Sequence, residues 1–289
     1  MIELGSLRVH AVSDGCFRLD GGAMFGVVPR VLWERSKPAD DRHRIRMGTN
    51  CLLVEAGGEL ALIDTGIGDK HDPKFLDLYG LESGHPRLPE SIRAAGFELG
   101  DVSHVLLSHL HFDHCGWNTR RDRSGALIPT FPKARYWLNR GEVEHGRAPN
   151  ERDRASYFAE NWEPLLEAGV AELFDDEVEV AAGVRAVRVP GHNADMCVVT
   201  LDGGGAEARG IFFADLVPTT AHVPYAWIMS YDLYPMKTLA GKRRWIPRAA
   251  QGNWLCFFEH DAEMAVGRIV EEKPGRYRAE PAAAAAGAG

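Results

Sequence analysis

Ser108-His109-Leu110-His111-Phe112-Asp113-His114 places four metal-ligating side chains within six residues. His109 and His111 lie two apart, so on an extended segment both imidazoles project from one side and can grip a single ion. If the chain turns into a helix at Asp113, that carboxylate and the next imidazole face a second ion a few ångströms away. A chance HxHxDH run is on the order of one in a thousand at this composition, so ligation outweighs an accidental cluster of polar residues. Cys115 follows directly and reads as a small buried filler rather than a thiolate ligand.

Working outward, residues 102–108 read as a buried strand, which puts the motif at a strand-to-loop edge. Upstream, residues 7–14 are strand-like, and the apolar runs 51–54 and 60–64 flank Ala56-Gly57-Gly58 as a hairpin. Residues 89–95 and 140–168 carry helical periodicity, and 178–189, 197–201 and 211–214 read as strands. A helix is expected over 234–250, then a strand over 254–258 with 264–270 beside it. Strands followed by helices in both halves, without a Pro- or Gly-rich linker, predict one α/β domain over residues 1–280. The Ala/Gly-rich residues 281–289 are expected to be disordered. Residues 21–50 are too long for an ordinary connection and too apolar for a solvated one. Within them Phe25, Val28 and Trp33 are expected to cover the site and wall a substrate pocket, together with residues 223–229, which include Trp227. His222, near Asp215 in sequence, is a further pocket candidate, whereas His10, His43, His71, His85, His104 and His145 read as surface or packing residues.

Bulk properties narrow the partners. A net charge of −8 opposes a partner bound through its phosphates, so nucleic acid is excluded as the main ligand. Five scattered cysteines without a CxxC pair suggest reduced thiols and a cytoplasmic protein. The first ten residues lack a basic start and an apolar stretch, and no run reaches the roughly 20 apolar residues of a membrane span.

Four further motifs follow in order around the first: Asp64-Thr65-Gly66, Pro190-Gly191-His192, Phe213-Ala214-Asp215 and Phe258-Glu259-His260. The set, over roughly residues 7–262, resembles the metallo-β-lactamase superfamily. That resemblance implies an αβ/βα sandwich of two mixed sheets with helices on the outer faces. It implies that His109, His111 and His192 hold one ion, that Asp113, His114 and His260 hold a second, and that Asp215 lies between them. Asp64 would support these ligands from behind. Two divalent ions per chain are expected, zinc first, with Mn, Fe or Co open because imidazole and carboxylate suit them all.

Departures narrow the branch. His111 stands where flavodiiron-type members resemble one another in a Glu, and Asp215 where the common zinc β-lactamases have Cys. Gly191-His192-Asn193-Ala194-Asp195-Met196 lacks the second His of the glyoxalase II pattern. The chain is similar instead to acyl-homoserine-lactone lactonases and methyl parathion hydrolase-type enzymes. The implied reaction is attack of a metal-bridging hydroxide on a lactone or ester carbonyl, with phosphotriester hydrolysis as the alternative. Behind these stand an iron-dependent persulfide dioxygenase and a non-catalytic binding protein. Asp113 would shuttle a proton. Some lactonases carry a Tyr three residues after the bridging Asp, but that position here is Pro218, so Tyr225 and Tyr231 become the candidates for assisting the carbonyl. The expected partner is a small apolar substrate, and relatives of this size suggest a homodimer.

Overall fold

Leu60-Ala61-Leu62-Ile63 shows how one sheet is buried on both faces. Ala61 and Ile63 join the cluster that contains the second sheet's residues, whereas Leu60 and Leu62 join the cluster that contains helical residues. Successive side chains of a strand point to opposite faces, so a continuous apolar run suits a strand covered on both sides.

The computed structural model describes residues 1–82 and 87–282. The first sheet begins with β1 (Ile2–Leu4), β2 (Leu7–Asp20), β3 (Arg44–Ala56), β4 (Glu59–Ile63) and β5 (His104–Leu106). A separate hairpin of β6 (Thr119–Arg121) and β7 (Leu127–Pro129) intervenes before β8 (Arg135–Asn139) and β9 (Ala171–Phe174) complete that sheet. Its order is β1-β2-β3-β4-β5-β8-β9, antiparallel up to β4 and parallel beyond it. The second sheet runs in chain order: β10 (Glu177–Ala181), β11 (Val184–Arg188), β12 (Cys197–Asp202), β13 (Arg209–Phe212), β14 (Leu255–Phe257), β15 (Val266–Lys273) and β16 (Arg276–Pro281). Only β13 and β14 pair in parallel there. Leu52, Val54, Ile63 and Leu106 of the first sheet pack with Val184, Val198, Ile211 and Phe257 of the second, so the main core lies between the sheets. Outside, Leu88 and Ile92 of the helix Leu88–Ala94 and Val143 of the helix Arg140–Arg147 cover the first sheet. Trp245, Ile246 and Ala249 of the helix Pro235–Gln251 cover the second. The expected sandwich of two mixed sheets with outer helices is the observed architecture.

Four expectations need correction. Residues 178–189 are two strands, because Gly183 turns the chain at φ 77° where a Cβ would lie 2.2 Å from the Asp202 carbonyl oxygen. Residues 140–168 break into short helices and 3₁₀ turns, the helix Glu163–Glu167 opening at Pro164. The connection thought to span 21–50 is shorter, since β2 and β3 stay paired out to Asp20 and Arg44, placing Phe17 opposite Met47 and Leu19 opposite Ile45. Pro281, assigned to the tail, ends β16 opposite Gly267. Residues 283–289 and His85 lie outside the described residues.

Candidate metal centre

Five strand ends deliver the candidate ligands. Asp64 follows β4, His109 to His114 follow β5, His192 follows β11, Asp215 follows β13 and His260 follows β14. Two backbone positions there are left-handed without being glycine: Asp64 at φ 55° and Ala214 at φ 44°. Such conformations cost energy and persist where the surroundings demand them. The Phe112–Cys115 segment turns helical, so Asp113 and His114 swing away from the strand that carries His109 and His111.

The seven predicted ligands come together, and all are buried. His109, His111 and His192 offer nitrogens within 4.8 Å of one another, as do ligand atoms of Asp113, His114 and His260. Asp215 joins the two groups. Its Oδ2 lies 3.1 Å from His192 Nε2 and its Oδ1 lies 3.1 Å from His260 Nε2. His111 Nδ1 faces His192 Nε2 at 3.0 Å, and His114 Nε2 faces His260 Nε2 at 3.2 Å.

The donor set fits divalent cations. His109 Nε2 and Asp215 Oδ1 are buried without a hydrogen-bond partner, a costly arrangement unless a cation satisfies them. Burial first, then the neighbouring imidazoles, holds His109 well below the usual histidine range, and His111 likewise, so both are neutral ligands. Burial opposes ionisation of Asp215, but the imidazoles of His192, His260 and His114 outweigh it and keep its carboxyl well below the usual range.

Behind the ligands a second layer holds the rings of His192, His260 and His114 through Nδ1, leaving Nε2 for the ion. His192 Nδ1 lies 3.0 Å from Asp232 Oδ1, and His260 Nδ1 donates to the Gly48 carbonyl at 2.9 Å. His114 Nδ1 sits between Asp64 Oδ2 at 3.1 Å and Glu259 Oε2 at 2.9 Å. Asp64 also accepts from the Ser108 backbone N–H at 2.7 Å and from its hydroxyl at 2.6 Å, tying β4 to the start of the motif. Glu142 Oε2 accepts from the Leu110 N–H at 3.0 Å and from the Tyr157 hydroxyl at 3.3 Å, and Tyr157 packs edge-on against His111. Sequence reasoning missed Glu259, Asp232, Glu142 and Tyr157. Glu259 alone carried a signal, being a carboxylate next to a ligand at the end of an apolar strand.

A cavity of about 360 Å³ opens over the ligands, lined by Leu19, Met24, Tyr79, Phe112, Met229 and Tyr231 among others. Tyr231 is therefore where it was expected. Tyr225 is not: it packs 5.8 Å from Tyr277 of β16, against the sandwich. The covering segment does fold over the site, but Met24 faces the cavity while the named residues stand behind it. Phe25 is stacked between Trp33 at 5.2 Å and His222 at 4.6 Å, with Trp227 edge-on at 5.6 Å and Val28 in the same cluster. His222 Nε2 donates to the Met24 carbonyl at 2.8 Å, and burial pushes its pKa down to about 3. Phe25, Val28, Trp33, His222 and Trp227 thus form the backing of the wall, because the short helix Gly21–Phe25 turns Met24 and Phe25 to different sides. The unassigned Tyr79 lines the cavity directly.

Two sheets whose strand ends converge on buried imidazoles and carboxylates, with an open cavity above, define a site suited to divalent metal ions. The chain belongs to the metallo-beta-lactamase superfamily, whose family model matches residues 44–240. A probable metallo-hydrolase of Mycobacterium bovis is 28% identical over 217 residues, 63% of each chain, so this chain spans under two thirds of that relative's length. An N-acyl homoserine lactonase of a Bacillus species is 27% identical over 151 residues, 49% of this chain and 53% of its own. Among solved structures, a probable metal-dependent hydrolase from Staphylococcus aureus superposes with TM-score 0.87 at 27% identity, over 97% of this chain and 99% of that one. Among the described residues no helix is long and apolar enough to cross a membrane.

Proposed function

We propose that this protein is a binuclear hydrolase of lactones or esters bearing an apolar group. The observation that carries the reading is Asp215, which places one oxygen 3.1 Å from a ligand of each ion group. His109, His111 and His192 would hold one ion, Asp113, His114 and His260 the other, and Asp215 both; zinc is the first choice. Bound there, divalent ions lower the pKa of a coordinated water and polarise the electrophile's oxygen. The chain itself supplies the rest. Leu19, Met24, Phe112 and Met229 receive the apolar part of the substrate and exclude water from it. Asp113, whose Oδ2 lies 3.7 Å from His260 Nε2, would move a proton at the edge of the cavity. Likeness to N-acyl homoserine lactonases supports a cyclic ester as the substrate class. Free thiols at all five cysteines support a reducing compartment, the cytoplasm.

The test is a panel of acyl-homoserine lactones, simple lactones, aryl esters and phosphotriesters, run on protein of known metal content. Lactone or ester turnover far above that of phosphotriesters is expected. Phosphotriester turnover alone would replace the reading with an organophosphate hydrolase using the same site.

A further inference from the structure

The lactone and ester reading requires a proton for the departing oxygen, and the position three residues after Asp215 is Pro218, whose carbonyl accepts from the His260 N–H at 2.9 Å. Pro218 has no proton to give. The cavity nevertheless contains two phenols, Tyr79 and Tyr231.

Tyr79 is the better placed. It caps the helix Pro73–Leu78, where its N–H donates to the Phe75 carbonyl at 3.0 Å and its carbonyl accepts from the Arg18 N–H of β2 at 2.7 Å. Its ring packs against Phe75 at 4.4 Å and Phe112 at 4.8 Å, which also touch each other at 5.3 Å. Backbone and ring are therefore both fixed, as a proton donor in a site must be. Phe112 immediately precedes Asp113, so the ring that Tyr79 packs on belongs to the metal motif itself. Among the described residues the Tyr79 hydroxyl makes no hydrogen bond, and Tyr79 lines the cavity together with His111, Asp113, Asp215 and His260. A half-buried hydroxyl without a partner, aimed at no protein acceptor, is free to serve a ligand. Tyr231, by contrast, is 39% exposed, at the rim where Arg152 donates to the Ser230 carbonyl.

We propose that Tyr79 is a catalytic residue that donates its phenolic proton to the leaving oxygen of the substrate, an inference that rests on the hydrolase reading above. Water gives up a proton to solvent as its oxygen adds to the carbonyl carbon, the acyl C–O bond breaks, and that bond's electron pair leaves on the former ester oxygen. That oxygen takes the Tyr79 proton, and the phenolate recovers one from solvent. An aliphatic alkoxide is a stronger base than a phenolate, so the transfer runs downhill for lactones and alkyl esters. An ordinary phenol, with a pKa of about 10, is protonated at neutral pH, and burial only raises that of Tyr79. A nitrophenolate leaving group needs no such help.

Tyr79→Phe keeps the packed ring and removes only the hydroxyl. On protein matched for metal content and melting temperature, kcat for a lactone or alkyl ester is expected to fall by about 10²-fold or more. For the 4-nitrophenyl ester of the same acid, kcat should stay within about threefold. Equal losses on both leaving groups, no loss on either, or transfer of the effect to Tyr231→Phe each overturns the assignment. If only phosphotriesters are turned over, the carbonyl reading fails, and the same comparison of alkyl with 4-nitrophenyl leaving groups still decides Tyr79. Turnover of nothing in the panel by protein holding two ions overturns both.

Discussion

Asp215 differs from the other six candidate ligands in having one oxygen turned to each ion group. Replacing it by Ala should cost turnover at least about tenfold more than His260→Ala, because one change loosens both ions and the other loosens one. Equal and mild losses in kcat would remove Asp215 from that position. Asp64 acts at one remove, through the Ser108 hydrogen bonds and His114 Nδ1. Asp64→Asn retains a residue that tolerates the left-handed backbone at φ 55°. It should lower metal affinity by about 10–100-fold with the fold intact, measured by competition with a chelator. Loss of the circular dichroism of the native state would assign Asp64 to the turn instead. At this scale the candidate metal ligands were legible because their chemistry is rare and their order fixed. Glu142 and Asp232 were not, since a lone carboxylate in a sequence carries no sign of which imidazole or amide it will meet.

The covering segment is the element on which sequence and structure part most usefully. Its apolar residues announced burial, but the short helices Gly21–Phe25 and Arg30–Trp33 decide which of them meet substrate. Met24→Ala should raise KM for long-chain substrates by up to about 1–3 kcal/mol of lost binding, leaving short ones unchanged. Phe25→Ala should instead cost about 3–5 kcal/mol of stability in denaturant unfolding, since the ring is sealed between Trp33 and His222. A KM effect confined to Phe25→Ala would reverse these roles. The same segment is tied to the His260 loop by Lys37, whose Nζ lies 2.8 Å from Asp261 Oδ1 in a nearly water-free site. Burial alone would raise the Asp261 carboxyl, but Lys37 and Thr220 outweigh it and hold the group below its ordinary value near 4. A carboxyl lowered by folding stabilises the protein fully above about pH 4, and that contribution is lost as the pH falls through the folded value. Lys37→Met should therefore flatten the acid limb of the stability–pH curve and destabilise the protein by about 3–5 kcal/mol at neutral pH. An acid limb unchanged from the parent protein would show that the pair does not control it.

For the whole molecule, seven ligands in two groups predict close to two divalent ions per chain by elemental analysis. Removing them with a chelator should lower Tm in proportion to the binding free energy lost, because ions that bind only the folded chain stabilise it by mass action. One ion at saturation would end the binuclear proposal. The outer face of the covering segment exposes Val27 at 90%, Val31 at 69% and Leu32 at 46%. A second copy of the chain is the proposed partner of that face, and Val31→Lys should then convert a dimer to a monomer in sedimentation. A parent protein already monomeric at high concentration would sink the proposal.

The sequence by itself determined the family and the two-sheet sandwich, and it picked out the seven candidate ligands that the fold brings together. Their residue types are dictated by chemistry, and their places at strand ends follow from the apolar run before each one. It could not determine which carboxylates stand behind the histidines, where the covering segment turns, or which tyrosine enters the cavity. Tyr225 and Tyr231 lie six residues apart, yet one packs on β16 and the other lines the cavity. Tyr79 reaches that cavity from a helix end far from every metal motif. Those choices depend on contacts between distant segments, such as Glu142 on Leu110 and His222 on Met24. No local propensity encodes such pairings, and the packed interior alone selects among the side chains that could have made them.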